Sequence, residues 1–230
     1  MTARNDSRKV SSSQAGIHPR LPTLLERHRR APWQQPLHPP SVEAFERLQA
    51  CIGHKHGRLI LDSGCGTGTS TRLLAAQFPD CMVIGIDKSA NRLARGGVVT
   101  FPQVESNAVW LRAELETFWR MALAAGWRLE RHYLLYPNPW PKPGHLQRRW
   151  HAHPVFPVLL ELGGRIEMRC NWKPYADEFS FALNRLTGSA LKPSQLVSKV
   201  PVSPFEKKYR ASGHTLFSVV LPDQSSSGVN

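Results

Sequence analysis

From Arg58 to Cys170, short apolar runs alternate with stretches whose apolar residues recur every three to four positions. Alternation of that kind predicts βαβ units and a parallel sheet. RLILD, 58–62, reads as the first strand; a glycine-rich turn follows, and a helix from about Ser70 to Phe78 is stopped by Pro79. CMVIGID, 81–87, reads as the second strand, with a helix over 89–95 behind it. AVWLRAE, 108–114, reads as the third, and LETFWRMALAA as its helix. RLERHYLLYP supplies strand four; HPVFPVLLELGG gives a helix and a Gly-Gly turn before RIEMRC, strand five. Further on, PYADEFSFALNRL has an apolar stripe at helical spacing, and HTLFSVVL, 214–221, alternates as a late strand should. No internal repeat is present.

The ends break this pattern. Residues 1–16 and 222–230 are polar, Ser-rich and aperiodic, so both are expected to be tails that bury too little apolar surface to offset ordering entropy. Residues 17–50 form a basic N-terminal arm rich in proline, and 51–221 form the domain. The cluster Arg27, Arg29 and Arg30 beside Trp33 has two readings, an arm packed over the domain or a clamp on nucleic acid backbone.

Charge narrows the partners. Among 230 residues, 30 Lys and Arg oppose 17 Asp and Glu, a formal net charge of +13 that favours a polyanion, with nucleic acid first. No stretch approaches the roughly 18 to 20 apolar residues of a spanning helix, and the N-terminus has no signal-type apolar core, so the expectation is a cytoplasmic protein without membrane contact, acting as a monomer. Cys51, Cys65, Cys81 and Cys170 form no CxxC pair, which suits reduced thiols. The pairs His54/His56 and His151/His153 have no third ligand at metal spacing and read as surface or packing histidines, with no metal expected.

Candidate chemistry begins at DSGCGTG. Gly64, Gly66 and Gly68 sit where a strand turns into a helix, the place at which open α/β sheets bring backbone close to a ligand. Asp87 ends the second strand about 20 residues later, as an acceptor for ribose hydroxyls should. Nicotinamide dinucleotide and S-adenosylmethionine enzymes share this layout. The spacing here is G-x-G-x-G, lacking the dinucleotide fingerprint, and Asp62 just before the turn repels phosphate while attracting an ammonium and a sulfonium. Glu114, near the end of strand three, is either a cofactor acceptor or a solvated acid at a helix start.

The run LLYPNPWPKPGHLQRR, 134–149, then adds three prolines around Asn138 and Trp140, followed by Lys142, His145, Arg148 and Arg149. DSGCGTG, GID and RAE at successive strand ends resemble the class I S-adenosylmethionine-dependent methyltransferases. Y-P-N-P-W-P-K-x-x-H-x-x-R-R is similar to the strand-four motif of the tRNA (guanine-N7)-methyltransferase family, and S-P-F-E-K-K, 203–208, to that family's C-terminal segment. N-W-K-P-Y, 171–175, falls where the family has T-D and a nearby Tyr. The resemblance, over roughly 58–220, implies an α/β fold: a Rossmann-like, doubly wound, mostly parallel seven-stranded sheet. It implies S-adenosylmethionine as cofactor, held by Asp62, Gly64, Gly66, Gly68, Asp87 and Glu114, and tRNA as partner. It implies guanine-site roles for Asn138, Asn171, Ser203 and Glu206, and RNA contact by Lys142, His145, Arg148 and Arg149.

Two family acids are amides here, Asn138 and Asn171, and each swap trades a charged acceptor for a group that both donates and accepts. The prolines hold Asn138 on a stiff ledge, and Trp140 offers either a stacking face or a core side chain. Lys207, Lys208 and Arg210 could extend the phosphate-binding surface. Because Asn-Pro beside an aromatic also resembles the amino-methylating enzymes, methylation of an exocyclic amine is the alternative reading, and a non-catalytic RNA-binding relative the third.

Overall fold

The computed structural model describes residues 7–53, 57–197 and 200–224. The His54/His56 pair lies outside them. The elements, in order, are α1 (Leu21–Arg30), α2 (Pro39–Ile52), β1 (Arg58–Ser63), α3 (Thr69–Gln77), β2 (Cys81–Asp87), α4 (Ala90–Arg95), β3 (Gln103–Glu105), β4 (Ala108–Arg112), α5 (Leu115–Ala124), β5 (Leu129–Leu135), α6 (Phe156–Glu161), β6 (Arg165–Cys170), α7 (Lys173–Thr187), β7 (Ser194–Gln195), α8 (Pro204–Ala211) and β8 (Phe217–Leu221). Chain contacts divide the protein into two compact units.

One unit comprises Gln34–Leu135, Val158–Ile166 and Pro222–Asn230. Its strands run in the order β3-β4-β2-β1-β5. β1 is parallel to both β2 and β5, and β2 is parallel to β4, whereas β3 closes the edge antiparallel to β4. After Arg58 every residue of β1 is buried, the near-continuous burial of a parallel strand covered on both faces. α3 packs on β2 and β4. α2 packs on α5, where the Phe45 and Phe118 rings lie 5.2 Å apart in a T-shaped contact and Trp127 completes the cluster.

The other unit comprises Met1–Trp33, Tyr136–Pro157 and Glu167–Leu221. Here β6 neighbours β8, which pairs antiparallel with β7, and α7 lies against β8 and α1. α7 buries Tyr175, Glu178, Phe179 and Leu183, a stripe that its i, i+3, i+4 spacing foretells except at the acid. Residues 143–148 and 150–152 form short 3-10 turns that carry the basic sequel of the proline motif.

All six strands expected from apolar patterning are present. Two more, β3 and β7 of three and two residues, are too short to leave a periodic signal and bring the total among the described residues to eight, where the resemblance implied seven. Strand three ends at Arg112, so Glu114 is the residue that caps α5 and not a strand tip. Within residues 7–16 the chain is hydrogen-bonded: the Ser7 amide donates to Ser212 Oγ at 3.0 Å, and Gln14 Nε2 donates to Glu178 Oε1 at 2.6 Å.

Candidate active site

The cofactor residues expected from sequence all fall in the β1-β2 unit. Gly64, Gly66 and Gly68 take φ of +82, +62 and +73°, a left-handed path that side chains resist. A Cβ at Gly68 would run into the Trp110 indole, whose Nε1 donates to the Gly68 carbonyl at 3.3 Å. The amides of Gly64 and Cys65 both donate to the Ile86 carbonyl, at 2.8 and 3.0 Å, tying the turn to the end of β2.

Asp87 braces that turn from the next strand. Its Oδ2 accepts from the Gly66 amide at 3.0 Å, and its Oδ1 accepts from the Ser89 amide at 2.8 Å and pairs with Arg92 at 3.2 Å. Three donors on a carboxylate with about four acceptor sites leave room for one more, as a ribose hydroxyl requires. Asp62 is fully buried, and its Oδ2 accepts from Ser70 Oγ at 2.6 Å and Thr71 Oγ1 at 2.8 Å. Its Oδ1 has no hydrogen-bond partner among the described residues. Burial raises the Asp62 carboxyl to about 6, against the pull of the two hydroxyls and with a further push from the Asp87 charge. At neutral pH the turn therefore holds a buried anion with one unanswered oxygen, which suits a cationic ligand. Glu114 presents its amide to Ser41 Oγ at 2.9 Å, while its half-buried side chain makes no capping bond.

The base-site and RNA-site residues all fall in the other unit. The motif is strained as well as stiff: Tyr136 and Trp140 have φ of +55 and +45°, values that non-glycine residues adopt only when their surroundings enforce them. Asn138 is exposed at the crest, its Oδ1 within 3.4 Å of the Trp140 amide. Arg148 lies over the Trp140 ring at 4.8 Å and His145 meets it edge-on at 5.6 Å. A base stacking on Trp140 must use its other face or displace that guanidinium. Lys142 and Arg148 are exposed and His145 half-buried, as a phosphate-facing surface requires.

Arg149 corrects the sequence reading. Expected on RNA, it is fully buried, donating to the Trp140 carbonyl from Nε at 3.2 Å and from an Nη at 3.1 Å, and pairing with Glu178 at 2.5 Å. It braces the ledge from behind and is not available to a phosphate. Ser203 and Glu206 likewise turn inward. Ser203 Oγ caps α8 by accepting from the Glu206 amide at 3.1 Å, and the fully buried Glu206 carboxylate pairs with Arg169 at 3.0 Å. The spacing S-x-x-E was a capping signature before it was a substrate one. Asn171 is half-buried, 3.0 Å from His214 Nδ1, and His214 Nε2 lies 2.8 Å from the Ser7 carbonyl oxygen.

Three residues here escaped sequence reasoning. Tyr136 is buried, and its phenol is pushed far up from its ordinary range by burial first and the Glu206 carboxylate second. Arg169 sits between Glu167 and Glu206. Glu178, buried between Arg149 and His151, is the centre of the unit's polar network, and an acid on the apolar stripe of α7 was its only signal. His151 and His153 pack as expected, the first against Glu178 and the second against Trp33. Arg27, Arg29 and Arg30 are exposed on α1, whose apolar face packs on α7. Among the described residues no cluster of three metal-ligating side chains occurs, and no helix is long and apolar enough to cross a membrane.

Residues 56–219 match the Methyltransf_4 family, described as "Putative methyltransferase". The chain is 26% identical over 178 residues to the tRNA (guanine-N(7)-)-methyltransferase of Leifsonia xyli subsp. xyli, covering 74% of this chain and 78% of the relative. It is 28% identical over 183 residues to the enzyme of the same name from Pseudomonas aeruginosa, covering 75% and 73%. Among solved structures, an antibiotic-related methyltransferase superposes with a TM-score of 0.53 at 18% identity, over 82% of this chain and 96% of that one. The 16S rRNA methyltransferase KamB superposes with a TM-score of 0.51 at 15% identity, over 81% and 94%, and both carry the doubly wound α/β fold expected from sequence. The glycine turn braced by Asp87, the proline ledge and a match across most of its length together make this chain a member of the Methyltransf_4 methyltransferase family.

Proposed function

We propose that this protein transfers a methyl group from S-adenosylmethionine to N7 of guanine in tRNA. The observation that carries it is the ledge: Asn138 is held exposed between prolines, on backbone locked from behind by Arg149, with Lys142 and Arg148 exposed beside it. Relatives named for this reaction support the reading.

The residues of the glycine turn fit the cofactor. The cofactor, when bound, supplies an electrophilic methyl on a sulfonium. Asp62 sets a buried negative charge beneath the turn, with one oxygen unpaired among the described residues, Asp87 has one acceptor site left for a ribose hydroxyl, and the glycines let backbone approach. Glu114 is placed as an acceptor for the adenine amine.

At the base, little proton chemistry is needed, since guanine N7 carries a free lone pair. What the chain must do is hold the ring, and positioning alone is worth roughly 7 to 11 kcal/mol in such displacements. Asn138 can accept from a guanine N–H through Oδ1 and donate through Nδ2, where a carboxylate would accept twice and steady the developing positive charge. Trp140 adds a stacking face, typically about 1 to 3 kcal/mol per base. Asn171 takes its place through His214. Lys142, His145 and Arg148 grip phosphates without reading sequence. Arg149, Ser203 and Glu206 act from behind as supports.

The test is direct. Protein incubated with isotopically labelled S-adenosylmethionine and tRNA from a strain lacking its own guanine-N7 enzyme should yield labelled 7-methylguanosine in nucleoside digests. Label on an exocyclic amine would establish the amino-methylating alternative, and cofactor binding with no transfer to any RNA would leave the chain an RNA-binding relative.

A further inference from the structure

The N-terminal segment from Ser7 to His18 is pinned at three points, the middle one on the ledge itself. At one end the Ser7 amide donates to Ser212 Oγ at 3.0 Å and the Ser7 carbonyl meets His214 Nε2 at 2.8 Å. In the middle Ser12 Oγ donates to the Pro141 carbonyl at 2.5 Å and accepts from the Gln14 amide at 3.1 Å. At the other end Gln14 Nε2 and the His18 amide both donate to Glu178 Oε1, at 2.6 and 2.9 Å, and Gln14 Oε1 accepts from Arg149 at 3.0 Å. Arg149 is the side chain that grips the Trp140 carbonyl, so segment and ledge share one anchor.

Pinned in this way, the segment forms one side of an open surface hollow of about 310 Å³ lined by Ser11, Ser12, Ser13, Pro141, Lys142 and Pro143. Ser12 is spent on the ledge. The hydroxyls of Ser11 and Ser13 make no hydrogen bond among the described residues, and both side chains are exposed, as is Lys142. No carboxylate lines the hollow, while Arg8 and Lys9 stand exposed a few residues upstream. Hydroxyl donors, one ammonium and no acid, on a chain of net charge +13, select an anion. Prolines on either side of Lys142 fix the backbone that carries its side chain, so a ligand there orders few new bonds.

We infer that Ser11, Ser13 and Lys142 form a phosphodiester subsite, in which the N-terminal segment and the proline ledge together hold one backbone phosphate of the RNA. The segment is then part of the substrate site. This rests on the RNA-methylating reading above, and its test reads binding separately from transfer.

The experiment measures tRNA affinity of the full-length protein by fluorescence anisotropy across a series of salt concentrations, with Kd for S-adenosylmethionine as a check on folding. Each phosphate neutralised contributes roughly 0.7 to 0.9 to the slope of log affinity against log salt. Lys142→Gln should lower that slope by about one such increment. Ser11→Ala/Ser13→Ala should weaken binding several-fold with the slope kept, because hydroxyls release no counterion. Ser11→Glu/Ser13→Glu should weaken it about tenfold or more, raising KM for tRNA with kcat at saturation little altered. Because Ser11 and Ser13 are exposed and unbonded, their variants leave the fold intact. Unchanged tRNA affinity in the double Glu variant, with cofactor binding normal, overturns the subsite. Wild-type protein that binds tRNA with these dependences yet makes no 7-methylguanosine would keep the subsite and overturn the proposed reaction instead.

Discussion

Changing Glu178 to Gln tests whether the ledge is held from behind. Four donors converge on this carboxylate: Arg149 at 2.5 Å and His151 at 2.9 Å on Oε2, Gln14 at 2.6 Å and the His18 amide at 2.9 Å on Oε1. They match the roughly four lone pairs that a carboxylate offers. Gln keeps the shape, removes the charge and turns one oxygen into an NH2, which faces either the Gln14 and His18 donors or the Arg149 guanidinium, whichever way it turns. Removing one partner of a buried ion pair costs about 3 to 5 kcal/mol. The carboxyl itself gives a second measure. Burial alone would raise it, but the hydrogen bond and charge of His151, the Arg149 charge and the His18 amide outweigh that and hold it at about 2, against an ordinary 4.5. A drop of about 2.5 units corresponds to roughly 3 kcal/mol of folded-state preference for the anion. The two measures agree.

The sign follows from linkage. A depressed carboxyl contributes stability that is present above its unfolded value and lost as pH falls through its folded one. Wild type should therefore exceed the Gln variant by about 3 kcal/mol above pH 5, with the gap closing between about pH 4.5 and 2. In thermal unfolding at neutral pH the variant should melt roughly 6 to 12 °C lower, at about 2 to 4 °C per kcal/mol for a protein of this size. Urea titrations at several pH values give the difference free energy directly. At a temperature where both proteins are folded, methyl transfer should fall as well, because Arg149 loses its fixed partner and with it the hold on the Trp140 carbonyl. A variant within about 1 kcal/mol of wild type at pH 7, or a gap that does not close in acid, would show that the network does not carry the load assigned to it.

Three further outcomes are expected. Asn138→Asp should raise kcat/KM for guanine transfer about tenfold, the difference between a neutral and a charge-assisted hydrogen bond at roughly 1.4 kcal/mol; steady-state kinetics with unchanged or lower activity would show that the amide has its own function. Asp62→Asn should gain on wild type by up to about 3 kcal/mol between pH 4 and 7 in the absence of cofactor, since a carboxyl raised to about 6 gives stability that is complete below its unfolded value and lost as pH rises through its folded one; buried histidines, common to both proteins, cancel in the urea-derived difference. Gly68→Ala should destabilise by about 2 to 4 kcal/mol from its left-handed backbone and its collision with Trp110, read as a lowered urea midpoint with weaker S-adenosylmethionine binding.

What the sequence disclosed depended on whether the signal was local. β1, β2 and β4 announce themselves because strands buried on both faces are nearly uniform apolar runs, and the glycine turn because three residues without Cβ in five positions are hard to explain otherwise. The proline ledge was equally legible as a stiff element. Its bracing was not, because Arg149 and Glu178 stand 29 residues apart and Gln14 lies 135 residues from Arg149. On one line of text Arg148 and Arg149 are identical neighbours. In space a 3-10 turn sends the first over the Trp140 ring and the second inward to its carbonyl. Burial decides which kind of work a guanidinium can do: an exposed one exchanges counterions with phosphate, whereas a buried one must be paired, and once paired serves as a strut. The same distinction separates Ser203, consumed by a helix cap, from Ser11 and Ser13, whose hydroxyls make no hydrogen bond among the described residues. A basic run next to a candidate active loop is therefore read correctly only after asking, residue by residue, which cations the fold has already used.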